Sequence, residues 1–163
     1  MFAALSILFA RLAFVAALGS PPCLLPPVSG SILDPFRPPG CTYCPGNRGI
    51  EYSTQAGSSV VAASGGKVTF AGLVAGVRYV VVEHAGGYRT TYGRLQAIAV
   101  ANGAPVQSGQ HVGTAGSVTF FGLRLGDAYL DPAPFLAQVV PQPRLVPLDG
   151  MSRRLPPPRR LTC

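Results

Sequence analysis

Residues Gly65–Leu95 read GGKVTFAGLVAGVRYVVVEHAGGYRTTYGRL, and the fold turns on how this stretch is read. Three strand signals are separated by glycines. Val68, Phe70 and Ala71 form a short apolar run, and Val77–Glu83 is rich in β-branched and aromatic residues that suit a pleated, packed surface. Gly86-Gly87 permits the positive φ angles of a tight hairpin turn. Tyr88–Tyr92 then runs Tyr, Arg, Thr, Thr, Tyr, the pattern of a half-exposed return strand. No window here or downstream carries a 3.6-residue apolar period, so helix is the weaker reading. The expectation is an all-β chain, mainly antiparallel, with Val68, Phe70, Val80, Val82, Val112, Phe121 and Leu123 in the interior.

Composition agrees. The 163 residues contain 20 Gly and 17 Pro, as short strands joined by turns require, and no Trp. The formal charge is +7, but the excess sits at the ends. Arg144, Arg153, Arg154, Arg159 and Arg160 face a single acid, Asp149, in residues 141–163, and Arg11 lies near the start. The middle is close to neutral, and its aromatic residues are not interleaved with basic ones as a nucleic-acid stacking platform needs. Nucleic-acid binding is therefore not expected.

Residues 1–20 (MFAALSILFARLAFVAALGS) are apolar apart from Arg11 and two serines, with small residues before Ser20 where a signal peptidase could cut. Export by a signal peptide is the expectation. A short uncleaved anchor or a buried N-terminal helix is the alternative. Residues 21–27 read as a proline-rich linker, Val28–Leu33 as a first strand, and Asp34–Cys44 as a proline-dense loop.

The cysteines are Cys23, Cys41, Cys44 and Cys163. An even number in an exported chain points to disulfides, and Cys41 and Cys44 could close a small loop. Free thiols, a redox pair and half a zinc site are the alternatives; no second Cys or His pair stands at zinc spacing, and Pro45-Gly46 argues against the helix a redox motif would open. Cys163 could pair with Cys23 or with another chain. No Gly-x-Ser-x-Gly elbow and no strand–loop–helix phosphate motif is present.

The order of several blocks is similar to that of the lysostaphin or LytM-type zinc endopeptidases, which cut peptide cross-bridges of bacterial peptidoglycan. Gly46–Tyr52 stands where that family has Gly-His-Arg-Gly-(Ile/Val)-Asp. Gly57–Val68 matches Gly-x-x-Val-x-Ala-Ala-x-x-Gly-x-Val, and Phe70–Gly72 the Phe-Ala-Gly that follows. Tyr79–Tyr88, Thr90–Leu95, Val106–Gly113 and Phe121–Pro132 come next in the family's order. The resemblance covers roughly residues 28–136. It implies a compact antiparallel core of the duplicated-hybrid-motif kind, a groove across one face, and a domain over 28–140 between the linker and a basic, proline-rich tail at 141–163 expected to be disordered.

What the resemblance implies for chemistry is a loss. The family's first ligand, a His, falls on Asn47, and its Asp on Glu51. A catalytic His falls on Arg94, and the closing His-x-His pair on Val118 and Phe120. A hydrolytic zinc needs about three protein ligands and an open water position. Of these five residues Glu51 alone is a good ligand; valine and phenylalanine have no lone pairs. Hence no catalytic residue, no metal and no cofactor are expected, although zinc serves the family. Glu83, His84 and His111 are the candidates for rebuilding a site, and each reads as a scaffold or surface residue. Arg94 is either a solvated charge or a guanidinium that could grip a carboxylate.

The reading is an exported, catalytically inactive LytM-type domain of the envelope that binds peptidoglycan or regulates a cell-wall hydrolase, by analogy with degenerate relatives that activate amidases. An active zinc endopeptidase and a structural envelope protein are the alternatives. The basic tail would either touch anionic envelope polymers or only solubilise the chain.

Overall fold

A computed structural model describes residues 22–41, 43–140 and 160–162. Residues 1–20, expected to be a signal peptide, fall outside these residues, as do Cys163 and most of the basic tail. Eleven strands are present among them, and helical structure is limited to two three-residue 3-10 turns, Ala85–Gly87 and Ala133–Phe135. No helix among them is long and apolar enough to cross a membrane.

The spine is β8 (His111–Leu125), flanked by β6 (Tyr88–Ile98) and β2 (Ile50–Thr54). Outward from β6 run β5 (Val77–Glu83), β4 (Gly66–Val74) and β7 (Pro105–Val106); outward from β2 lies β1 (Gly30–Asp34). Two short strands, β3 (Ser59–Val61) and β9 (Ala128–Leu130), also pair with β8. Every strand pair is antiparallel. The Gly65–Leu95 stretch forms β4, β5 and most of β6, as its glycine punctuation predicts. One of its turns escapes the Gly-Gly rule. Ala75-Gly76 joins Val74 to Val77 with φ of 48° and 81°, the two-residue loop with both φ positive that fits the twist of a hairpin.

Strand alternation separates two faces. Tyr92, Phe121, Ile50, Val80, Val82 and Leu123 point inward and are buried. The Tyr92 and Phe121 rings pack at 5.5 Å between centroids. Leu24, Val60, Val68, Val106 and Val112 close the same cluster. Six of the seven expected core residues are therefore inside, and Phe70 is not: it is 36% exposed. A bulge between Val68 and Phe70 is the reason. Val68 stands opposite Val82 on the inner face, but the extra residue sets Phe70 opposite Val81 and turns it outward.

The proline-rich stretch is extended, as prolines dictate, but it is packed against the sheet. Leu24 is fully buried, bridges Leu136, and exchanges backbone bonds with Phe135 and Ala137. Ahead of the tail come the turn Ala133–Phe135 and then β10 (Gln138–Val140). β10 pairs with β11 (Arg160–Thr162), the described part of the basic tail. Cys41 and Cys44 form a disulfide, with Cα atoms 4.9 Å apart, and Cys23 is disulfide-bonded too.

Candidate functional site

The outer face of the sheet carries the positions singled out from the sequence. Directly opposed residues on neighbouring antiparallel strands share a face. Register alone therefore lays Asp34, Glu51, Phe120, Gly93 and Tyr79 in one row across β1, β2, β8, β6 and β5. The row is crowded at its centre. A Cβ on Gly93 would stand 2.5 Å from the Tyr79 ring, and one on Gly122 would stand 3.0 Å from the Phe120 ring. The two aromatic rings thus lie over the two glycines and close the floor that side chains would otherwise occupy. Val118, two residues along β8 from Phe120, pairs with Ser53 and is half-buried.

Arg94 reaches this row because the backbone bulges there. The register slips between Gly93 and Leu95, and Arg94 takes φ 57°, a left-handed conformation uncommon for a residue with a Cβ. Leu95 thereby turns into the core at 4% exposure, while the Arg94 guanidinium lies 2.8 Å from Glu51 Oε1. Asn47 is held from the other side. Its Nδ2 donates to the carbonyls of Asp34 (3.2 Å) and Pro35 (3.1 Å), and its Oδ1 accepts from the Gly49 amide at 3.3 Å. Its backbone exchanges two bonds with Arg37. Asn47 is a loop tie, 7% exposed, with both ends of its amide engaged.

These contacts test whether zinc fits. The amide is spent on backbone, the carboxylate is paired with a guanidinium, and Val118 and Phe120 bring no donor. A cation would have to displace Arg94 and would then meet one carboxylate, too few ligands for a hydrolytic site. The residues do not fit the metal. Among the described residues no three His, Cys, Asp or Glu side chains come together elsewhere as a metal group.

The other metal-capable residues serve the scaffold. Glu83 pairs with Arg89 at 3.0 Å, and His111 Nδ1 lies 2.8 Å from Ser59 Oγ. His84 is buried and belongs to a chain of polar contacts under the sheet. Its Nδ1 is 2.8 Å from the Gly65 carbonyl, which can only accept, so Nδ1 carries a proton. Burial lowers the His84 pKa against the smaller, opposing pull of that carbonyl, which favours the neutral ring. Thr90 Oγ1 lies 2.8 Å from Nε2 and donates to the Tyr92 hydroxyl at 3.0 Å. The Tyr92 oxygen accepts from the Ala63 amide at 2.7 Å. Burial pushes the Tyr92 hydroxyl up to about 12, so it stays protonated.

Sequence reasoning missed a pocket beside the row. It has a volume of about 230 Å3 and is lined by Arg48, Val81, Thr91, Phe120, Arg124 and Tyr129 among others. Arg48 stacks its guanidinium 5.6 Å from the centre of the Tyr129 ring. Arg48 and Arg124 both stand in quoted motif blocks, but the loop before β2 and the β8–β9 hairpin bring them together only on folding. A wider hollow near Lys67, Glu83, His84 and Asn102, about 650 Å3, contains none of the five family-site positions.

A fold of antiparallel strands around a groove row in this order defines a class, and the class is matched directly. Residues 45–126 match Peptidase family M23, and the chain belongs to that family. It is 32% identical over 105 residues to the uncharacterized lipoprotein YgeR of Escherichia coli K12, a match covering 63% of this chain and 40% of that protein. The chain thus spans less than half the length of this relative. Helicobacter pylori Csd3 superposes with a TM-score of 0.63 at 30% identity, over 71% of this chain and 33% of that one. The SpoIIQ–SpoIIIAH pore-forming complex gives a TM-score of 0.64 at 22% identity, over 72% and 92% of the two chains, a likeness of fold.

Proposed function

We propose that this is a catalytically inactive member of the family, exported to the cell envelope, that binds peptidoglycan or regulates a cell-wall hydrolase. One observation carries the reading: the Arg94 guanidinium occupies Glu51 at 2.8 Å, where the family resemblance puts a metal-bound carboxylate. The groove keeps its floor and walls, so recognition can outlast hydrolysis. That a relative is a lipoprotein supports an envelope location, and that SpoIIQ forms a complex with SpoIIIAH supports a role in which this kind of domain holds a partner. Fold by itself does not fix function, so the proposal rests on the site.

The test is made on the purified full chain. Metal analysis should find no stoichiometric zinc, and a cross-bridge peptide should stay intact, while the protein co-sediments with isolated cell walls. Bound zinc with turnover would establish an active endopeptidase instead. Absence of retention on walls, by the native chain and by Arg94→Ala alike, would favour a structural envelope protein.

A further inference from the structure

The pocket beside the row has a specific chemistry. Phe120, Val81 and Leu123 give it an apolar lining, and Thr91 lines it too. Among the described residues Arg48 and Arg124 border it and no carboxylate does. Among the described residues the acids of the row and of β5 are held by other arginines, Asp34 by Arg37, Glu51 by Arg94 and Glu83 by Arg89. Among the described residues Arg124 makes no ion pair; it stands half-buried between Arg89 and Tyr129 in the cross-strand register. Arg48 is steadied by the Tyr129 ring, a contact that keeps its charge while limiting its rotation. Two guanidiniums beside an apolar lining, one of them held by a ring, make a site for a carboxylate attached to a small apolar group, because a planar fork matches a carboxylate in two-pronged fashion.

Size narrows the ligand. At about 230 Å3 the pocket is below the roughly 300–1,000 Å3 of ordinary small-molecule sites. It suits the last one or two residues of a chain rather than a strand passing through. We infer that this pocket binds the C-terminal α-carboxylate of a short peptide ending in a small apolar residue, with Arg48 and Arg124 on the carboxylate and Phe120 and Val81 under the side chain. The inference deepens the wall-binding reading and rests on it for the source of the ligand, since wall peptides offer many chain ends; the pocket chemistry stands on the residues above.

The experiment titrates the purified full chain with N-acetyl-Ala-Ala and with its C-terminal amide, by calorimetry or by amide chemical shifts. The free acid should bind at least about tenfold more tightly than the amide, as loss of a charge-assisted pair implies, and its affinity should fall as salt rises. Arg124→Gln should lose about tenfold, and Arg124→Lys less, since charge survives without the fork. Unchanged thermal unfolding shows that both variants remain folded. Equal binding of acid and amide, no binding of either, or an Arg124→Gln variant that binds like the native chain would overturn the inference. Cell-wall sedimentation run in parallel separates the two ideas. Wall retention without preference for the free acid removes the pocket assignment alone; acid binding without wall retention keeps the pocket and removes the wall as its source.

Discussion

Tyr92 and Arg94 are two residues apart on one strand, and they belong to opposite faces of the sheet. Tyr92 is wholly buried, packed on Phe121, with its hydroxyl joined to Thr90 and the Ala63 amide. Arg94 stands in a bulge with its side chain about half exposed, held to Glu51. The inner face carries a polar chain that runs from the Ala63 amide through Tyr92 and Thr90 to His84. The outer face has the Phe120, Gly93 and Tyr79 row and, beside it, one ion pair. A core residue is constrained by every neighbour it touches, whereas a groove residue answers mainly to its ligand. Substitution of the groove can therefore proceed while the scaffold stands.

The largest expected effect falls on the inner face. Phe121→Ala should cost about 3–5 kcal/mol in urea unfolding, since it opens a cavity at a fully buried ring. The neighbouring Phe120→Ala should cost clearly less, because Phe120 is only half-buried. Equal losses would erase the distinction between the faces. Next comes Tyr92→Phe, which leaves the buried Ala63 amide without its acceptor and should destabilise by about 1–3 kcal/mol by the same assay.

A subtler effect is set by pH. Burial lowers the folded-state pKa of His84 below its ordinary value of 6.5, so the folded protein favours the neutral ring more than the unfolded chain does. That contribution is complete above the unfolded pKa and fades as pH falls through the folded one. Stability should drop from pH 7 toward pH 5, and His84→Gln should flatten this part of the profile; an unchanged slope would remove His84 as its source. The smallest effect belongs to the groove. Glu51→Gln or Arg94→Gln should each change stability by less than about 1 kcal/mol, as expected of an ion pair with one partner about half exposed. A loss of 3 kcal/mol or more would make the pair part of the scaffold, and the contrast between the faces would need redrawing.

Much of this was legible in the residues. Gly86-Gly87 marks the turn between β5 and β6, and β-branched density marks β5 itself. Phe70 was misplaced because a one-residue bulge reverses a face, and nothing in the local apolar pattern announces the extra residue. The Pro-rich start reads as extended, yet Leu24 is held by the turn Ala133–Phe135 and the two residues after it, far along the chain. Arg48 and Arg124 reveal no joint role in order of sequence.

The sequence by itself determined the all-β class and the antiparallel order of its central strands, and it pointed to Asn47, Glu51, Arg94, Val118 and Phe120 as the positions to look at. These follow from side-chain chemistry and short-range alternation, which are local properties. Only the tertiary structure decided that Arg94 answers Glu51, that Asn47 ties a loop, and that Arg48 and Arg124 border one pocket. Those outcomes depend on register, bulges and the approach of distant strands, and such long-range geometry is fixed only when the whole sheet closes on its core.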